Sequence, residues 1–210
     1  MKKLVYSIGL LFTLVFTVQS SNIVLAANTG DASEVNMKIY KLWVSPNTDC
    51  SDATMVFQDA SPVAQNMITN PTFGNATLPN GTYPCIVLKM SDLITGKPAY
   101  TSTAGNCTPS TNISIDVFRA DNNDTSTCPD GSVVTGTGTN ASGAEDGPCL
   151  FMATTGSNSN VGWRANSPFP LTAPLVVNGN LTGTFVSDFR GKIQDAHGAC
   201  GIEPPVFGFQ

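Results

Sequence analysis

Charge is scarce in this chain. Ten basic and fifteen acidic residues make up 12% of its 210 positions and give a formal net charge of −5. Nucleic acid and anionic lipid surfaces call for a basic footprint, so composition argues against both as partners. Histidine is scarcer still, with His197 standing alone. A Ser-His-Asp or Cys-His enzyme would have to use it as the base. It sits in the polar stretch Asp195-Ala196-His197-Gly198-Ala199-Cys200, and no Gly-x-Ser-x-Gly elbow accompanies it. It is expected to be a solvated loop histidine beside a disulfide, and it cannot build a multi-histidine metal centre. Tight Cys-x-x-Cys spacing is missing, which argues against structural zinc. Helical periodicity never runs beyond two turns, so no helix of consequence is expected. No internal repeat is visible, which favours one elaborated domain over two.

What is present begins with an address. Lys2 and Lys3 precede an apolar run over residues 4–18, and Val24-Leu25-Ala26 offers a cleavage site before Ala27. Residues 1–26 are expected to be a removed signal peptide, with 27–210 as a single β-sandwich domain. The run is short for an uncleaved membrane anchor, and no second apolar run could span a bilayer. Without Lys2 and Lys3 the mature chain is more acidic still. All six cysteines, Cys50, Cys85, Cys107, Cys128, Cys149 and Cys200, lie beyond the leader. An even number in an exported chain implies disulfides, in fifteen conceivable pairings. Cys128–Cys149 is the best single expectation, stapling the loop between them for about 3 kcal/mol in the chain-entropy model.

The clearest strand is the apolar run from Pro84 to Met90, launched by Leu78-Pro79-Asn80-Gly81-Thr82-Tyr83. Pro79 presets a turn, and Gly81 is expected to supply a positive φ. Alternation puts Ile86, Leu88 and Met90 on one face and Tyr83, Cys85 and Val87 on the other. Both faces are apolar, so the strand should be central, with Pro84 at its start or at an edge. Leu-Pro-x-Gly-x-Tyr before an apolar strand resembles the pattern of prealbumin-like and collagen-adhesin B-type domains, secreted β-sandwiches of bacterial surface proteins. That resemblance implies a fold and no activity.

Elsewhere the alternation Val35, Met37, Ile39 slips phase before Leu42 and Val44, as at a β-bulge. Short strands are expected over 54–58, 113–117, 149–153 and 206–209, a helical turn within 62–69, and a break at Asn70-Pro71. Gly96-Lys97-Pro98 reads as a turn. Asn178-Gly179 reads as a hairpin turn between residues 171–177 and 181–189. Residues 121–147 are polar, with only Val133 and Val134 as apolar content. They should form a mobile or disulfide-tethered loop. The fold class is therefore all-β, an antiparallel β-sandwich, immunoglobulin-like or prealbumin-like, with long polar loops and disulfides.

No catalytic residue, cofactor site or metal site is assigned. The acids fall mostly in turns (Asp49, Asp52, Asp121, Asp124, Asp130, Glu145, Asp146), or on wet strand faces (Asp116, Asp188), with no pair suited to glycosidase chemistry. Asp121-Asn122-Asn123-Asp124 has oxygen ligands for calcium but lacks EF-hand spacing, so a plain acidic turn is favoured. Asn-x-Ser/Thr sequons at Asn75, Asn80, Asn112, Asn123, Asn140 and Asn180 are expected by chance in so Asn- and Thr-rich a chain. Trp43, on a strand, should pack in the core. Trp163, in a polar loop beside Arg164, is the better choice for exposure, and these two residues are the candidate ligand contacts. The expected role is non-enzymatic: a structural or adhesive protein of the cell surface or periplasm. Its partners would be envelope proteins, further copies of itself or a glycan. The alternative is a module that binds a carbohydrate or another small ligand.

Overall fold

Alternating side chains make strands, and the computed structural model of the protein shows which of them meet. It describes residues 28–69, 78–119, 122–137, 145, 147–157, 162–179 and 185–209. The expected leader, the Asn70-Pro71 break, Asp121, Asp146 and the sequons at Asn75, Asn140 and Asn180 lie outside them.

In chain order the strands are β1 (Thr29–Gly30), β2 (Ala32–Met37), β3 (Ile39–Ser45), β4 (Thr54–Gln58), β5 (Gln65–Asn66), β6 (Gly81–Tyr83), β7 (Cys85–Met90), β8 (Leu93–Pro98) and β9 (Ile113–Asp116). There follow β10 (Thr125–Thr127), β11 (Val133–Thr135), β12 (Cys149–Ala153), β13 (Phe169–Pro170), β14 (Leu175–Val177), β15 (Phe185–Asp188), β16 (Ile193–Ala196), β17 (Ala199–Ile202) and β18 (Val206–Phe209). A 3-10 turn forms over Met67–Thr69. The fold is all-β. A five-stranded sheet runs β13-β12-β7-β3-β4 and a four-stranded sheet β5-β2-β8-β9; β1-β16-β17 and the pairs β10-β11, β14-β6 and β15-β18 complete it. Pairing is antiparallel except for β12 with β13 and one isolated bridge between Leu171 and Phe207. The architecture is consistent with a β-sandwich.

The phase slip near residue 39 has two causes. At Lys38 the chain leaves the four-stranded sheet and enters the five-stranded one; at Ser91 it makes the reverse crossing. The two crossings are tied together, since Lys38 N donates to Ser91 Oγ and Ser91 N to Lys38 O, both at 2.9 Å. A register shift between Ile39 and Lys41 then adds the bulge.

β7 lies at the centre of the five-stranded sheet, as its apolar faces imply. Ile86, Leu88 and Met90 enter the main core, where they join Val35, Met37, Ile94, Leu150, Met152, Phe185 and Phe207. Cys85 and Val87 face the other way, into a second cluster with Trp43, Phe151 and Ala153. Tyr83 departs from the expectation: it joins the main core, because Pro84 sits between β6 and β7 and shifts the phase. Its hydroxyl donates to Pro79 O at 2.9 Å, a tyrosine corner that closes the turn. Gly81 also departs, being a strand residue without positive φ.

One further expectation is corrected. Gly96-Lys97-Pro98 is not a turn but the end of β8. A Cβ on Gly96 would stand 2.7 Å from Glu34 O, so glycine there permits close approach beside the bulge between Ala32 and Glu34. β14 pairs with β6, and β15 with β18; the residues that would close the expected hairpin, 180–184, lie outside the described residues. Asn178-Gly179 docks on the turn before β6, Gly179 N donating to Asn80 Oδ1 at 2.8 Å. The polar segment after residue 121 is disulfide-tethered, one of the two forms expected of it, and contains a hairpin, β10 with β11.

All six cysteines are paired: Cys50–Cys85, Cys107–Cys200 and, as expected, Cys128–Cys149.

Candidate functional site

Two polar segments lie over the outer face of the five-stranded sheet. The first is the loop over residues 46–53, bound to β7 through Cys50–Cys85. Cys50 and Asp52 both hold positive φ (63° and 53°). The loop is knotted by its own polar groups. Ser45 Oγ donates to Ser51 O, and Asp49 Oδ1 accepts from Ser51 N at 3.0 Å and from Ser51 Oγ at 2.7 Å. Those bonds, the hydroxyl first, hold the Asp49 carboxyl below its ordinary range. The second segment is the β10–β11 hairpin. It is bound to β12 by Cys128–Cys149 and by Ser126, whose Oγ donates to Cys149 O at 3.0 Å and accepts from Cys149 N at 3.1 Å. Lys41 on β3 reaches Asp130 at 2.7 Å and stands 5.8 Å over the Trp43 ring. Burial works against the Asp130 charge, but bonds from Lys41 and Ser132 keep its pKa lowered.

Between these segments lies a cleft of about 580 Å³ with Asp49, Cys50, Ser51, Thr125, Thr127, Pro129, Phe151, Arg164 and Ala165 on its walls. Alternation builds it. With Ser126 buried against Cys149, Thr125 and Thr127 point to the opposite side of β10. On β12, Leu150 and Met152 face the main core and Phe151 faces outward as the floor.

The two candidate ligand contacts separate here. Trp163 is only 6% exposed and packs edge-on against Phe118, centroids 5.3 Å apart. The expectation that it is exposed is corrected: its polar neighbours in sequence conceal a core position. Arg164, the next residue, turns outward to the cleft, and its carbonyl accepts from Ser167 N at 3.1 Å. Trp43 is buried, as expected.

The other singled-out residues serve the scaffold. His197 is exposed at the tip of the β16–β17 hairpin, where it and Gly198 both adopt positive φ (54° and 78°), as a type I′ turn requires. Asp188 receives Arg190 side-chain bonds at 2.5 to 3.0 Å, and that guanidinium brings its pKa down to about 2. Asp116 Oδ1 accepts from Phe118 N and Asp124 Oδ2 from Arg119 N, both at 3.0 Å. Glu145 joins Lys38 and the Tyr40 hydroxyl, each at 2.6 Å. Burial first, then Glu145, raises the Tyr40 pKa. Among the described residues no three His, Cys, Asp or Glu side chains are grouped to hold a metal ion, and no helix is long and apolar enough to cross a membrane.

One polar knot was not anticipated. Asp195 on β16 accepts from Ser102 Oγ, from Asn106 N at 3.1 Å and from Asn106 Nδ2 at 2.9 Å. It fixes the loop after β8 beside Cys107–Cys200. The Ser102 hydroxyl, then Asn106, hold its carboxyl below the ordinary range.

The cleft residues are scattered between 49 and 165 in the chain. The signal that could have gathered them was the cysteines, because Cys50, Cys128 and Cys149 stand beside three of the four contributing segments. The chain matches no protein-family model, no curated protein and no solved structure.

Proposed function

We propose that this chain is an exported, non-enzymatic β-sandwich that acts as a structural or adhesive component of the cell surface or periplasm. The observation that carries the reading is the complete pairing of six cysteines across polar loops. Such bonds persist in oxidising compartments, in keeping with the leader-like residues 1–26. A non-enzymatic role is favoured by how the ionisable groups are used. Asp130, Glu145 and Asp195 each tie one segment to another, and His197 forms a turn. The test is fractionation of the native host, followed by sizing of the unheated, non-reduced protein. A surface-bound ladder or very large species is expected; a free monomer near the mature mass overturns the reading.

The cleft favours a second reading, a module that binds a carbohydrate or another small ligand at Arg164. Its volume lies in the range of small-molecule sites. Titration of the monomer with a panel of neutral and acidic sugars, followed by amide shifts, tests it.

A further inference from the structure

Resting on the second reading, we infer that the cleft between the two disulfide-bound segments binds a carboxylate-bearing sugar, with Arg164 taking the carboxylate. The first ground is how the cations are used. Lys38, Lys41, Lys97 and Arg190 each face a carboxylate of the chain within 3.3 Å. Lys89, Lys192 and Arg164 stand outside these ion pairs, and of the three Arg164 is the one that lines the cleft. In so acidic a protein an uncommitted guanidinium is a specific attraction for an anion. Its planar fork matches a carboxylate in two parallel hydrogen bonds.

The second ground is the rest of the wall. Thr125 and Thr127 present two hydroxyls on one side of β10, about 6.6 Å apart along the strand. Each can donate and accept. Asp49 commits Oδ1 to Ser51, and an ionised carboxylate has acceptor capacity left on its second oxygen. A polyol ring carrying one carboxylate has a chemical counterpart for each of these groups. A phosphate polymer does not fit, since one cation among acids gives no basic track. A divalent cation does not fit either, since Asp49 is the single carboxylate on the walls.

The experiment uses the oxidised chain, isotopically labelled, titrated with sodium glucuronate and separately with glucuronate methyl ester. Glucuronate should shift the amides of Ser51, Thr125, Thr127 and Arg164, and the ester should need at least about tenfold more to do so, the value of a lost charge-assisted bond. Arg164→Gln should abolish that preference, and Arg164→Lys should restore part of it. Arg164 is exposed, and only its backbone is used by the fold, so both variants keep the structure. Equal response to acid and ester overturns the carboxylate assignment while leaving a neutral-ligand module standing. Shifts confined to residues outside the cleft overturn the site. Silence toward both compounds overturns the inference, and silence toward the neutral sugars as well removes the second reading with it.

Discussion

The two faces of the five-stranded sheet are covered in opposite ways. On the inner face Ile86, Leu88, Met90, Leu150 and Met152 meet apolar side chains from other strands, and burial of that surface holds the layers together. On the outer face Trp43, Val87, Phe151 and Ala153 are just as buried, yet polar segments cover them. Segments of that composition bury too little to order themselves. Here two disulfides, the Lys41–Asp130 pair and the Ser126 bonds supply what composition withholds. A covalent tie can make a cover out of chain that hydrophobicity would leave loose.

The contrast can be broken from either side. Trp163→Ala attacks the inner core and should lower global stability by about 3–5 kcal/mol, measured by denaturant unfolding; a surface-sized effect would contradict its burial. The double change Cys128→Ser with Cys149→Ser should cost about 3 kcal/mol. It should also expose residues 122–137 to protease and amide exchange while β7 amides stay protected, and loss of protection in β7 at the same rate would dissolve the distinction. Tyr83→Phe removes the bond to Pro79 and should cost about 1 kcal/mol, read from the same unfolding curves.

The two smallest tests sharpen the comparison. Asp195 has a lowered folded pKa, so its contribution is present above the unfolded value of about 4 and is lost as pH falls through the folded one. Acid unfolding of the wild type should therefore carry a component that Asp195→Asn lacks, and superimposable profiles would contradict it. Asp130→Asn should change stability by less than about 1 kcal/mol, while increasing amide exchange in β10 and β11 alone.

Much of the fold was legible wherever pattern and partner are both local. The strands at 54–58, 149–153 and 206–209, the bulge after Ile39 and the want of any long helix among the described residues follow from alternation and its slips. Pairing is non-local, and there the sequence says less. Asn178-Gly179 carries a strong turn signal, but a turn says nothing of the distant partners of its flanking strands, and β14 meets β6 while β15 meets β18. Trp163 misled for a related reason: its neighbours are polar, and Phe118, which buries it, is 45 positions away. Of the candidate site, Arg164 alone was named from sequence as a ligand contact. Thr125, Thr127 and Phe151 are ordinary residues until two disulfides place them opposite Asp49.

The disulfides are nested, Cys128–Cys149 lying wholly inside the span of 93 residues closed by Cys107–Cys200. A chain that emerges amino end first presents Cys107 and Cys128 together before either true partner exists. An oxidant acting in order of appearance would join them and strand Cys149 with Cys200. The native pattern therefore asks for delay until the last cysteine arrives, or for a thiol catalyst that reshuffles early bonds. Reaching this connectivity depends on the order of oxidation as well as on the sequence.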